Sequence, residues 1–173
     1  AILATRLASL SRGYSGVSWA LLEQLQALLE HDILPLIPSE GSVGASGDLT
    51  PLSYVAAALC GEREVRFHGE IIPANEALKA CGLTPLRLRP KEGLAIMNGT
   101  AVMTALACLA LDRTDQLSRL ATRITALAVV ASGGNPHHFD ETLFSVKPHP
   151  GLQAVAGRLR ADLGDGQASR NDH

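Results

Sequence analysis

The sequence predicts an all-α fold, a helical bundle. Three observations carry it. Apolar residues recur at helical spacing through most segments, Gly and Pro fall between those segments, and a single short stretch alternates as a strand would. In residues 1–12, Ile2, Leu3, Leu7 and Leu10 share one helical face, and Gly13 to Gly16 break it. Ser18 is the expected N-cap of a second helix, residues 19 to about 31, with Leu21, Leu22, Leu25, Leu28 and Leu29 on one side. Its outer face carries Glu23, Glu30, His31 and Asp32. Pro35 and Pro38 end it, and a Gly- and Ser-rich loop follows to residue 50. Asp48 or Thr50 then caps a third helix with Pro51 in its first turn, a favoured place for proline. Residues 62–74 alternate weakly and predict a short hairpin or an extended arm. A short helix is expected over 75–80, an extended stretch over 83–90, and two long helical patterns over 91–131. The latter break at Asn98-Gly99 and again near Asp112. A turn at 133–136 leads to a last helix over 151–163. The whole reads as a single helical region, residues 1–173, with a loose tail over 166–173.

Composition narrows the function. The 173 residues are 46% hydrophobic, 18% charged and 3% aromatic, with a formal net charge of −2. That excludes a disordered chain, which combines low hydrophobicity with high charge. A near-neutral balance with scarce aromatics also excludes a nucleic-acid binder, which shows a basic face or stacking platforms. Cys60, Cys81 and Cys108 are too widely spaced for a zinc knuckle or redox pair, and predict buried, reduced thiols in a cytoplasmic protein. No charge occurs between Glu92 and Asp112, but Asn98, Gly99, Thr100 and Thr104 interrupt that stretch and flanking anchors are missing. It therefore reads as a helix buried all round, not a membrane span. A chain of this size has little protein to cover such a helix, so subunit association is expected. The chain lacks an initiator methionine and opens inside a helical pattern, which reads as a piece of a longer protein.

The loop Gly41-Ser42-Val43-Gly44-Ala45-Ser46-Gly47-Asp48-Leu49 is the most unusual feature. It is not a phosphate cradle, since no Lys follows a glycine and the glycine spacing is wrong for a dinucleotide. As a serine-hydrolase elbow it fails because Asp48 stands where the second glycine belongs and no strand precedes it. It could be a plain connector. The remaining reading is backbone cyclisation. Gly47 supplies an unobstructed amide nitrogen and reaches the dihedrals that bring it onto the Ala45 carbonyl carbon. Ser46 carries a hydroxyl that can leave. Loss of two waters gives an imidazolone conjugated to a methylidene, an electrophile that ordinary side chains cannot supply. The helix that starts near Pro51 offers free N–H groups and partial positive charge to a growing oxyanion.

Residues 41–52 resemble the signature of the aromatic amino acid ammonia-lyase family, which includes histidine, phenylalanine and tyrosine ammonia-lyases and related aminomutases. The likeness continues in family order through Arg12-Gly13-Tyr14-Ser15-Gly16, Lys91 to Thr100, and Lys147-Pro148-His149-Pro150-Gly151. It covers the chain to about residue 165. The resemblance implies a 4-methylidene-imidazol-5-one (MIO) group built from Ala45, Ser46 and Gly47, with no metal. It implies that Asn98 contacts this group or the substrate, and that Leu49 and Leu94 wall a pocket for an aromatic side chain. A polar Asn at a helix break in apolar surroundings is expected to be buried and partnered. The implied fold is an α-helical bundle assembled as a homotetramer with shared active sites. The implied reaction eliminates ammonia from an aromatic L-amino acid, giving an α,β-unsaturated acid. An aminomutase would instead return the amine to the β-carbon. A catalytically silent helical scaffold is the alternative from another class.

The likeness has gaps. The family's catalytic tyrosine lies upstream of the matched motifs, and the segment that binds the substrate carboxylate would begin just past His173. Leu152 stands where many members have Gln, and Tyr14 and Tyr54 read as structural. His137-His138 cannot share one helical face, and His149 sits in a turn between prolines.

Overall fold

The computed structural model describes residues 1–41 and 47–164. The expected all-α class holds, with one small sheet added. Helix α1 (Ile2–Leu10) buries Leu3 and Leu10 and packs on α2 (Trp19–Glu30), whose Leu21, Leu25 and Leu28 are fully buried. Spacings of three and four place these leucines on one stripe, which is what commits both helices to a common core. Leu22 and Leu29 flank it half-buried, and Glu23, Glu30, His31 and Asp32 face solvent. Ser18 takes the N-cap position of α2, but its side chain makes no capping bond. Its main-chain N–H is drawn elsewhere, to Glu92.

Strand β1 (Leu34–Pro35) pairs antiparallel with β2 (Glu64–Phe67), which pairs antiparallel with β3 (Glu70–Pro73). The hairpin was legible; β1 was not, because two residues, one of them Pro35, carry no alternation. Helix α3 (Leu49–Leu59) buries Pro51, Leu52, Val55, Ala56, Ala58 and Leu59. Helix α4 (Ala74–Ala80) lies on the hairpin and on α3. Tyr54 lies 4.4 Å beneath the Arg63 guanidinium. Tyr14, read as structural, is instead 87% exposed and touches Arg12, because the Gly13–Gly16 turn carries it clear of the helices.

Helices α5 (Glu92–Met97) and α6 (Ala101–Ala131) break where Asn98-Gly99 predicts. The expected second break near Asp112 does not occur. Asp112 sits on the solvent face, where the Gln116 side-chain amide one turn later donates to it at 2.9 Å, so the run of helix formers continues. Among the described residues, one side of α6 is also left exposed. Ala101, Val102 and Ala105 are buried, but Met103, Leu106, Leu109 and Leu111 are exposed. Cys108, expected buried, is exposed for the same reason, while Cys60 and Cys81 are half-buried. Among the described residues the span Glu92–Ala131 is long and apolar enough to cross a membrane by length and composition.

The sequence reads as a single helical region; the structure divides into two compact units, Ala1–Ala110 and Leu111–His173, with the division inside α6. In the second unit a 3-10 turn (Pro136–Phe139) leads to α7 (Glu141–Ser145) and α8 (Pro150–Leu163). Asn135 and Asp140 cap the first two by accepting the N–H groups of His137 and Thr142. Arg160 on α8 donates to the Phe139 carbonyl at 2.8 Å, tying the turn to the helix. His149 is the N-cap residue of α8.

Candidate active site

The Gly-rich loop ends against the break between α5 and α6. Gly47 has φ +77°, and a Cβ at that position would lie 2.7 Å from the Gly99 carbonyl oxygen and 3.1 Å from its carbonyl carbon. Only glycine satisfies both the left-handed dihedral and that contact. The next residue, Asp48, donates its main-chain N–H to the same Gly99 oxygen at 2.9 Å.

The Asp48 side chain is 5% exposed, and a single oxygen, Oδ2, accepts the N–H groups of Val102 and Met103, both at 3.0 Å. The expectation that Asp48 caps its own helix is thus corrected. It occupies the N-cap position of α3 and its main-chain carbonyl accepts the Leu52 N–H at 3.0 Å, but its side chain makes no capping bond there and instead caps the first turn of α6 from 54 residues away. The starts of two helices therefore meet at one carboxylate. Each helix start presents N–H groups without intrahelical partners and a partial positive charge, so an anion is favoured there.

On the far side of the break stands Arg6, a charged residue only 4% exposed. Its Nη2 donates to the carbonyls of Ala95 and of Asn98, the latter at 3.1 Å. A Cβ on Gly99 would overlap this guanidinium, lying 3.0 Å from Cζ. Burial lowers the Arg6 pKa from its ordinary value. A second buried charge, Glu92, opens α5. Its Oε1 accepts the Ser18 N–H at 2.8 Å and its Oε2 accepts the Arg89 N–H at 2.6 Å. Burial pushes this carboxyl up, but the N–H bonds from Arg89 and Ser18, with the Arg89 charge, hold it below the ordinary glutamate value.

Of the residues singled out from sequence, the structure brings Gly47 together with the Asn98-Gly99 corner. Asn98 is the C-cap residue of α5 and is exposed rather than buried. Its main-chain groups are the ones engaged, the N–H with the Leu94 carbonyl at 2.8 Å and the C=O with Arg6. Leu49 opens α3 half-buried, whereas Leu94 points outward at 55% exposure beside buried Ala95 and Ile96. Ala45 and Ser46 lie outside the described residues. Sequence reasoning missed Arg6, the true role of the Asp48 carboxylate, and Glu92. For Arg6 a signal existed, since it stands on the stripe between Leu3 and Leu10, where a solvated arginine does not belong.

The backbone at Gly47 fits an MIO group. Such a group would close through the unobstructed amide nitrogen of a glycine, and at Gly47 a Cβ has no room.

A mainly helical core with Gly47 closed against the corner between two helices matches the ammonia-lyase class of fold. The family model for aromatic amino acid lyases matches residues 1–173, and the chain belongs to that family. It is 47% identical over 164 residues to the histidine ammonia-lyase of Sorangium cellulosum, covering 95% of this chain and 32% of that protein. It is 45% identical over 173 residues to a tyrosine 2,3-aminomutase of a Myxococcus species, covering 100% of this chain and 33% of that one. Among solved structures, the phenylalanine aminomutase of Pantoea agglomerans superposes with a TM-score of 0.89 at 33% identity. That match covers 96% of this chain and 32% of the other. The chain thus spans about a third of the length of the curated relatives it matches.

Proposed function

We propose that this chain is the electrophile-bearing part of an aromatic amino acid ammonia-lyase, with the methylidene-imidazolone formed from Ala45, Ser46 and Gly47. The observation that carries the reading is the backbone of Gly47, left-handed and closed against Gly99 so that no side chain fits. The group supplies an electrophilic carbon that takes up an amine, a chemistry no ordinary side chain offers. The chain's own residues do the rest of what falls to this part of the protein. Gly47 contributes the ring nitrogen. Asp48, locked onto α6, fixes where the triplet ends. Asn98, at the corner opposite, presents its amide toward substrate or group, and Leu49 and Leu94 line the aromatic side chain.

The substrate is an aromatic L-amino acid (phenylalanine, tyrosine or histidine), and the product is ammonia with an α,β-unsaturated acid. A 2,3-aminomutase is the second reading, favoured by the 45% identity to a tyrosine 2,3-aminomutase along the whole chain. The exposed apolar residues Met103, Leu106 and Leu109 support a homotetramer with shared sites. They support protein–protein burial over a membrane, because the Asn98-Gly99 break is bonded by two charged side chains, Arg6 and Asp48, which hydrocarbon would penalise. The free cysteines support a cytoplasmic location.

Intact mass of the full-length enzyme tests the reading. A deficit of two water masses, located to the peptide spanning residues 45–47 and absent in Ser46→Ala, is the expected result. An open, unmodified peptide without lyase turnover would leave a helical scaffold only.

A further inference from the structure

Arg6 has no part in the chemistry above, yet it is a charge taken out of water. Among the described residues its hydrogen-bond partners are main-chain carbonyls, those of Ala95 and Asn98, and its Nε is buried without one. A buried charge without close compensation is costly, and an apolar side chain of similar size would pack the same stripe more cheaply. What Arg6 does that an apolar residue would not is fix a corner. One nitrogen, Nη2, takes the carbonyls of Ala95 and Asn98, and the flat guanidinium is the surface on which Gly99 rests. Gly99 in turn gives its carbonyl to the Asp48 N–H and occupies the space beside Gly47. The contacts therefore run without interruption from Arg6 through Gly99 to Gly47.

We propose that Arg6 is a positioning residue for closure of the 45–47 triplet: by holding the Asn98-Gly99 corner it keeps Gly47 in the bent conformation from which its nitrogen reaches Ala45. This rests on the reading that the triplet cyclises. In that step the Gly47 nitrogen lone pair forms a bond to the Ala45 carbonyl carbon, and the Gly47 amide proton passes to the Ala45 oxygen. That hydroxyl leaves with the Ser46 amide proton as one water, giving a C=N bond. The Ser46 hydroxyl leaves with the Ser46 Cα proton as the second, giving the methylidene. No oxidant or reductant enters. The unfavourable part is conformational, because a backbone nitrogen and carbonyl two residues apart must be pressed together, and a rigid wall lowers that entropic cost.

The test follows maturation in the full-length enzyme. Wild type, Arg6→Lys and Gly99→Ala are expressed, and the two-water mass deficit is timed after synthesis. Melting by circular dichroism, kcat and KM are measured on the same samples. Arg6→Lys keeps the charge and a donor for the two carbonyls but not the flat guanidinium on which Gly99 rests, so it is expected to fold with an unchanged melting midpoint and to lose water about tenfold more slowly. Its kcat falls with the uncyclised fraction while KM stays within about twofold. Gly99→Ala, which pushes the corner from the other side, is expected to slow the same step. A wild-type time course in Arg6→Lys overturns the proposal and leaves the electrophile standing. An Arg6→Lys protein that does not fold overturns it too, since the residue would then be a general prop. A wild-type enzyme that never loses water removes the underlying reading itself.

Discussion

Replacing Asp48 separates two roles that one carboxylate combines. The two N–H groups of α6 converge on a single oxygen, Oδ2. Asp48→Asn can keep both of these bonds through its amide oxygen while losing the charge, whereas Asp48→Ala loses both. Val102 is 8% exposed, so its N–H, once orphaned, finds no water, and losing a charge-assisted bond there costs about 1.5–3 kcal/mol. Met103 is 59% exposed and its N–H is rehydrated, at about 0.5 kcal/mol, the low end for a lost N-cap. Asp48→Ala is therefore expected to lose about 2–3.5 kcal/mol, and Asp48→Asn about 0.3–1 kcal/mol from the helix-dipole interaction alone. Urea unfolding followed by far-ultraviolet circular dichroism reads both numbers, with the slope checked for constancy. Equal losses for the two variants would mean that the charge matters and the bonds do not. A loss below about 0.5 kcal/mol for Asp48→Ala would refute the capping argument altogether.

Three further outcomes follow from the same geometry. Gly47→Ala places a methyl 2.7 Å from the Gly99 oxygen at φ +77°, and is expected to cost about 2–4 kcal/mol in thermal unfolding and to leave the triplet uncyclised by mass. Glu92 has a folded pKa below its unfolded value of 4.5, so the stability it adds is present above that value and is lost as pH falls through the lowered one. Glu92→Gln, which can accept only one of the two N–H bonds, is expected to be less stable than wild type at pH 7 and to show a shallower loss below about pH 4.5 in acid titrations of the urea midpoint. Leu106→Glu with Leu109→Glu places charge on the exposed face of α6, and sedimentation is expected to show smaller assemblies with helix content unchanged.

Much of this molecule could be read from its sequence, for identifiable reasons. The break at Asn98-Gly99 was visible because a glycine and a polar residue interrupt an apolar run, and local chemistry is enough to end a helix there. The helix starts at Trp19 and Leu49 were visible for the same kind of reason. Asp112 misled because an acidic residue within a helical pattern looks like a boundary, when an exposed position and a partner one turn later make it harmless. What could not be read was long-range. Asp48 is a plausible cap for the helix it precedes, and nothing nearby reveals that it serves a helix 54 residues on. Glu92 bonds Ser18 across 74 residues, and Arg6 reaches Asn98 across 92. The exposure of Asn98, Leu94 and Cys108 was invisible for another reason, since periodicity says which face is apolar but not whether this chain alone covers it.

The wide separation between Gly47 and the corner that bends it has a consequence for order of assembly. During synthesis the triplet emerges well before Gly99 does, and until α5 and the start of α6 have docked there is nothing to hold Gly47 in its cramped shape. A reactive electrophile on a nascent chain would be open to every passing thiol and amine. On the proposed cyclisation, the reagent is made only once the protein that shelters it has already formed.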